Sequence, residues 1–172
     1  MIEDTWPRIA GLHVGDSGVV SAAWIAINPD TSVTHLYDCC KFKALMMPVL
    51  VDGLNARGRR IPIAWASQEM ADVLWKNGCN MLREPIKETP ALVEIHTSEI
   101  VNRMQTGRFK VSERLQDWLE EFRTFNREDA KIPTETHPLM TATRYAISEI
   151  RSARAEETYR QKRPVYPKRA IV

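Results

Sequence analysis

Long apolar runs are missing from this chain. The longest, residues 44–51 and 19–27, fall far short of the roughly 20 residues that a membrane-spanning helix requires, so no span is expected. The opening MIEDTWPRIAG has no basic region followed by an apolar run. It does not read as a secretory signal, and the cytoplasm is the expected compartment. Cysteine is scarce as well. Cys39, Cys40 and Cys79 are an odd number without C-x-x-C spacing, which argues against both a disulfide framework and a four-ligand zinc site; buried free thiols are the expectation. A G-x-x-x-x-G-K-[ST] loop to cradle nucleotide phosphates is also lacking.

What remains is the composition of one soluble domain: 172 residues, 44% apolar and 27% charged. The net charge of +2 is unevenly spread. Residues 151–172 carry seven Lys/Arg against Glu156 and Glu157, so the rest of the chain is net acidic. A domain over 1–156 followed by a basic, Pro-containing tail over 157–172 is the expected organisation. Such a tail either reaches for nucleic acid or an acidic partner surface, or is simply solvated.

Apolar runs at 9–14, 19–27 and 32–42, separated by G-D-S-G and N-P-D-T-S, predict three strands in an antiparallel meander. Helical spacing follows over 44–55, then a strand over 61–66. That order predicts a crossover helix and a parallel pairing. Further helices are expected over 68–77, 91–105 and 139–156, a fifth short strand over 79–82 and a brief extended piece over 108–111. Ser112 reads as the N-cap of another helix, whose core stripe is Leu115, Trp118, Leu119 and Phe122. The order is that of an RNase H-like α/β fold, a mixed central sheet flanked by helices, although the pattern alone admits other α/β folds.

Four sets of segments carry a resemblance. W-P-R-I-A-G-L-H-V-G (Trp6 to Gly15) resembles the opening W-P-R-I-A-G-L-D-x-G of the nuclease domain of podovirus-type, tailed-phage large terminases. I-P-I-A-W (Ile61 to Trp65) and N-M-L (Asn80 to Leu82) are similar to that family's fourth and fifth strands. R-M-Q-T-G-R-F-K-V with D-W-L-E-E-F-R (Arg103 to Val111, Asp117 to Arg123) is similar to its hairpin and helix, and L-M-T-A-T-R-Y-A (Leu139 to Ala146) to its last helix. The resemblance implies an RNase H-like domain of phage or prophage origin, acting in a bacterial host, of the kind that cuts concatemeric DNA during packaging. With five residues before Trp6 and no phosphate loop, it is expected to stand without the family's ATPase motor.

Two-metal phosphodiester hydrolysis needs several carboxylates converging on one point to hold two divalent cations. By the resemblance, the family's acid on the first strand falls at His13. Its acid after the fourth strand falls near Gln68, and the acidic pair before the last helix falls at His137 and Pro138. These degenerate positions predict a pseudoenzyme with no catalytic residues and no cofactor. Its role is then binding or regulatory, in phage packaging or phage–host conflict. The expected partners are DNA, held weakly, or packaging proteins such as terminase or portal, and no membrane. The alternative is an active metal-dependent DNA endonuclease with remodelled ligands. His13, Glu69 and His137 are its metal candidates, for Mn, Zn or Mg.

Arg103, Arg108, Lys110 and Arg144 fall in segments that the resemblance places near the DNA cleft. They are nucleic-acid-binding candidates, with surface ion pairing as the plainer role. Trp24, Trp65, Trp75 and Trp118 read as core packing, and Met46, Met47 and Met104 as gap fillers. His35 and His96 have no obvious partner in the sequence.

Overall fold

The computed structural model describes residues 2–43, 46–128 and 130–155; the basic tail over 157–172 lies outside them. Five strands, β1 (Arg8–Val14), β2 (Val19–Ile27), β3 (Thr34–Lys43), β4 (Ile63–Trp65) and β5 (Phe109–Val111), form one sheet in the order β4-β1-β2-β3-β5. β1, β2 and β3 make the antiparallel meander, while β4 joins β1 and β5 joins β3 in parallel. Among the described strands, only β2 therefore runs against the others.

Alternation along the strands divides the core between two faces. Ala10 and Leu12 on β1, with Val20, Ala22 and Trp24 on β2, pack with Leu50 and Leu54 of α1 (Met47–Ala56) and Ala71 and Leu74 of α2 (Gln68–Lys76). Ile9, Ala23, Ile25 and Leu36 face the other way. There they meet α3 (Pro90–Gln105), α4 (Gln116–Thr124) and α5 (Pro138–Ser148). Every residue of α5 from Leu139 to Ile147 is buried, as expected of a helix that carries few exposed polar groups and lies between the sheet and two further helices. Its close seat on the sheet depends on Gly11, where a Cβ would lie 1.9 Å from the Ala142 carbonyl oxygen.

Several sequence expectations are corrected. Residues 79–82 give only an isolated parallel bridge, Ile63 to Met81, because Ile63 is the one β4 residue whose backbone they bond, through Asn80 O and the Leu82 N–H; the fifth strand is the extended piece at 109–111. The helix expected from Ser112 begins at Gln116, since Ser112 instead closes a turn onto the Leu115 N–H. The last helix ends at Ser148 and passes into a 3₁₀ turn over Ile150–Ser152. Trp75 is 58% exposed and Met46 53%, so neither packs in the core. Cys79 is buried, whereas Cys39 and Cys40 are half-buried, and burial pushes their thiols up to about 11 and about 12.

Candidate functional site

The C-terminal ends of parallel strands leave backbone groups and loops facing one crevice, where α/β folds usually place their sites. Here the ends of β1 and β4 are adjacent: Leu12 pairs with Trp65, one residue before His13 and three before Gln68. His13 points to the α5 face and is 5% exposed. Its Nε2 lies 3.4 Å from Glu135 Oε1, and its Nδ1 lies 3.5 Å from the Tyr145 hydroxyl, with the two rings edge-on. Glu135 also accepts the Asp16 backbone N–H at 3.0 Å, tying the turn after β1 to the loop before α5.

Beside Tyr145 lies a second pair. Arg144, 3% exposed, donates to Glu88 at 2.9 Å and lies over the Tyr145 ring. Burial and the Glu88 carboxylate together keep the Tyr145 phenol well above its ordinary pKa. Burial also lowers the pKa of His13, more than nearby Glu135 and Glu88 raise it. The 3.4 Å ion pair and the lowered pKa point opposite ways, and burial wins. Glu135 is half-exposed, so water screens its charge, while the imidazole is almost fully enclosed.

The other sequence candidates do not join His13. Gln68 is exposed and donates to Asp72 at 2.7 Å along its own helix, and Glu69 is exposed beside it. His137 is buried, but Thr124 Oγ1 lies 3.2 Å from its Nε2 and Thr136 Oγ1 2.9 Å from its Nδ1, with the Phe125 ring against its side. Both of its nitrogens are engaged, and it precedes Pro138 at the start of α5. Among the described residues, no group of three or more His, Cys, Asp or Glu is arranged to hold a metal ion. The set His13, Glu69 and His137 is therefore not assembled, because helix starts at Gln68 and Pro138 turn two of its members elsewhere.

Nor does one surface hold the four candidate cations. Arg144 is buried beside Tyr145 and Glu88. Arg103 pairs with Glu99 at 2.6 Å and donates to Thr34, while Arg108 and Lys110 are exposed beside β5. Thr34 is level with Ile27, whereas His13 is level with Ser21 and, across β2, Lys41. Six positions of β2, from Ser21 to Ile27, separate the two levels, about 20 Å at roughly 3.3 Å per residue. The resemblance placed these cations near the cleft; the register puts three of them at the other end of the sheet.

Sequence reading missed Glu88, Glu135 and Tyr145. Both glutamates sit in loops, where spacing carries no facing information. Only the proximity of T-E-T-H-P to the last helix hinted at Glu135.

Comparison with solved structures returns terminase nucleases. The nuclease domain of the P22 large terminase is 22% identical, with a TM-score of 0.82 over 92% of this chain and 88% of that one. The large terminase nuclease domain of bacteriophage SPP1, solved with bound Mn, is 14% identical, with a TM-score of 0.61 over 87% and 93%. That of thermophilic phage G20c, solved with bound zinc, is 18% identical, with a TM-score of 0.60 over 86% and 84%. No protein-family model matches the sequence, and no curated protein does. The shared backbone, over most of both chains, gives this protein the RNase H-like fold of the large-terminase nuclease domain.

Proposed function

We propose that the chain is a non-cleaving homologue of the terminase nuclease domain, a binding or regulatory module in phage DNA packaging or phage–host conflict that engages DNA or a packaging protein. The observation that carries this reading is His13. By the resemblance, the family keeps an acid for two-metal cleavage at this position of the first strand, and the side chain present is an enclosed imidazole with its pKa lowered. The carboxylates nearest to it already have partners: Glu135 accepts the Asp16 N–H, and Glu88 pairs with Arg144. The Arg144 guanidinium beside Glu88 further opposes two adjacent divalent cations.

One observation favours the second reading, a metal-dependent endonuclease. Asp16, Glu88 and Glu135 all lie within electrostatic reach of His13. Supercoiled plasmid separates the two readings. The purified protein is expected to leave it intact in Mg²⁺ and in Mn²⁺, which accepts imidazole nitrogen more readily. Nicking in Mn²⁺ that disappears with His13→Ala or Glu135→Ala would replace the first reading with the second.

A further inference from the structure

Away from the His13 cleft, at the N-terminal end of β4, lies a groove that the reading above does not use. Arg59, Arg60, Trp75, Gly78, Cys79 and Asn80 line an open hollow of about 390 Å³, within the range of nucleotide-sized sites. Trp75 forms its apolar wall. The buried stripe of α2 is Ala71 and Leu74; Trp75 follows Leu74 by one residue, about 100° around the helix, and so turns its indole outward. Gly78 ends α2 at φ +85° with nothing within 4 Å of where a Cβ would stand. Only glycine takes that conformation readily, and it leaves the hollow open beside the indole.

The rim is cationic. Arg59 is exposed and has no ion pair among the described residues. Arg60 also lines an adjoining hollow with Arg8, Ile61, Arg154 and Ala155. Arg154 is held there by an antiparallel bridge to Arg8, with N–H to carbonyl distances of 3.0 and 3.1 Å. The sequence after residue 155 adds five Lys/Arg against Glu156 and Glu157. Cys79 adds no negative charge, because burial raises its thiol pKa.

We propose that this groove binds single-stranded nucleic acid, with an unpaired base stacked on Trp75 and the flanking phosphates held by Arg59 and Arg60. This goes beyond the reading of the cleft and uses none of its residues. An aromatic face between cations is the arrangement that single strands require: any base offers a π-face, and the backbone supplies the charge. Duplex bases are already stacked and cannot reach a lone indole. A protein partner would need a broader apolar centre than one side chain provides.

The test is a fluorescence titration of the full chain with a short oligothymidylate and, separately, with a blunt duplex of the same length at roughly 50 mM salt. The oligothymidylate is expected to bind more tightly than the duplex and to quench tryptophan emission. Trp75→Leu is expected to abolish the quench and weaken binding about tenfold. Arg59→Ala and Arg60→Ala should each flatten the salt dependence by about 0.7 of a slope unit. Thermal melts of these surface variants establish that they are folded. No oligothymidylate binding by the wild type, equal binding by folded Trp75→Leu, or a preference for duplex would each overturn the proposal. None of these results bears on whether plasmid is cut, so this proposal and the cleft reading can fail separately.

Discussion

His13 is subject to two opposed effects of unequal size. Enclosure disfavours its charged form, and Glu135 and Glu88 favour it, with enclosure the larger. The folded protein therefore binds this proton more weakly than the unfolded chain does. His35 and His96 are lowered by burial in the same way, with Lys110 and Arg144 respectively adding to it. The contribution of such a group is complete above the unfolded value of about 6.5 and is lost as pH falls towards the folded value. The melting temperature is accordingly expected to fall between about pH 7.5 and pH 5.5, and His13→Gln, which cannot take up the proton, should lessen the fall. A wild-type melting temperature that held steady or rose on acidification would contradict this account of the site.

The start of α5 poses a different problem, because His137 occupies the cap position without capping and Pro138 follows it. Glu121 of α4 takes over: its Oε2 accepts the Leu139 N–H at 2.8 Å and the Met140 N–H at 3.2 Å, and its Oε1 meets Lys41 at 2.8 Å. A carboxylate at a helix N-terminus satisfies orphan donors and complements the dipole. Glu121→Ala should cost about 2 kcal/mol in urea unfolding, Glu121→Gln about half as much, and Lys41→Met less than either. If Lys41→Met were as damaging as Glu121→Ala, the ion pair rather than the cap would hold α5. Nothing in the sequence marks Glu121 for this task, since it lies 18 residues from the Leu139 N–H that it accepts. The elements themselves were legible where periodicity was long: the meander over 9–42 and the helix over 91–105 match closely what the alternation and spacing indicate. Short pieces were not. Residues 79–82 and 109–111 look equally extended, and only the positions of their neighbours decide which one joins the sheet. Trp75 was misread because a nine-residue helix presents too few turns for its stripe to be fixed by one aromatic. At the cleft, the resemblance led to His13 through a strand motif, whereas Glu88 and Glu135 arrive from loops.

Across the whole molecule, charge is sorted by sheet end. Asp16, Glu88 and Glu135 gather beyond the C-terminal end of β1, while Arg8, Arg59, Arg60 and Arg154 gather near the N-terminal ends of β1 and β4. Arg108 and Lys110 share that level but lie just before and on β5, on the far edge of the sheet. Four strand spacings, roughly 19 Å, separate the two edges, about twice the Debye length at 0.1 M salt. Charges at the two edges should therefore act on a polyanion nearly independently under those conditions. This leads to a comparison of three double variants at fixed salt, read as affinity for single-stranded DNA. Arg59→Glu with Arg60→Glu should cause the largest loss, because it reverses the charges beside the exposed indole. Arg108→Glu with Lys110→Glu should cause a smaller loss through the long-range field alone, and both losses should shrink as salt is raised. Asp16→Asn with Glu135→Gln should leave affinity unchanged or slightly increased, since it removes repulsion from an end that the strand does not touch. If the Arg108 and Lys110 pair proved dominant, the strand would track the β5 edge. If the acidic pair proved dominant, with affinity falling, DNA would be entering the His13 cleft itself, and the division of labour between the two ends of the sheet would be wrong.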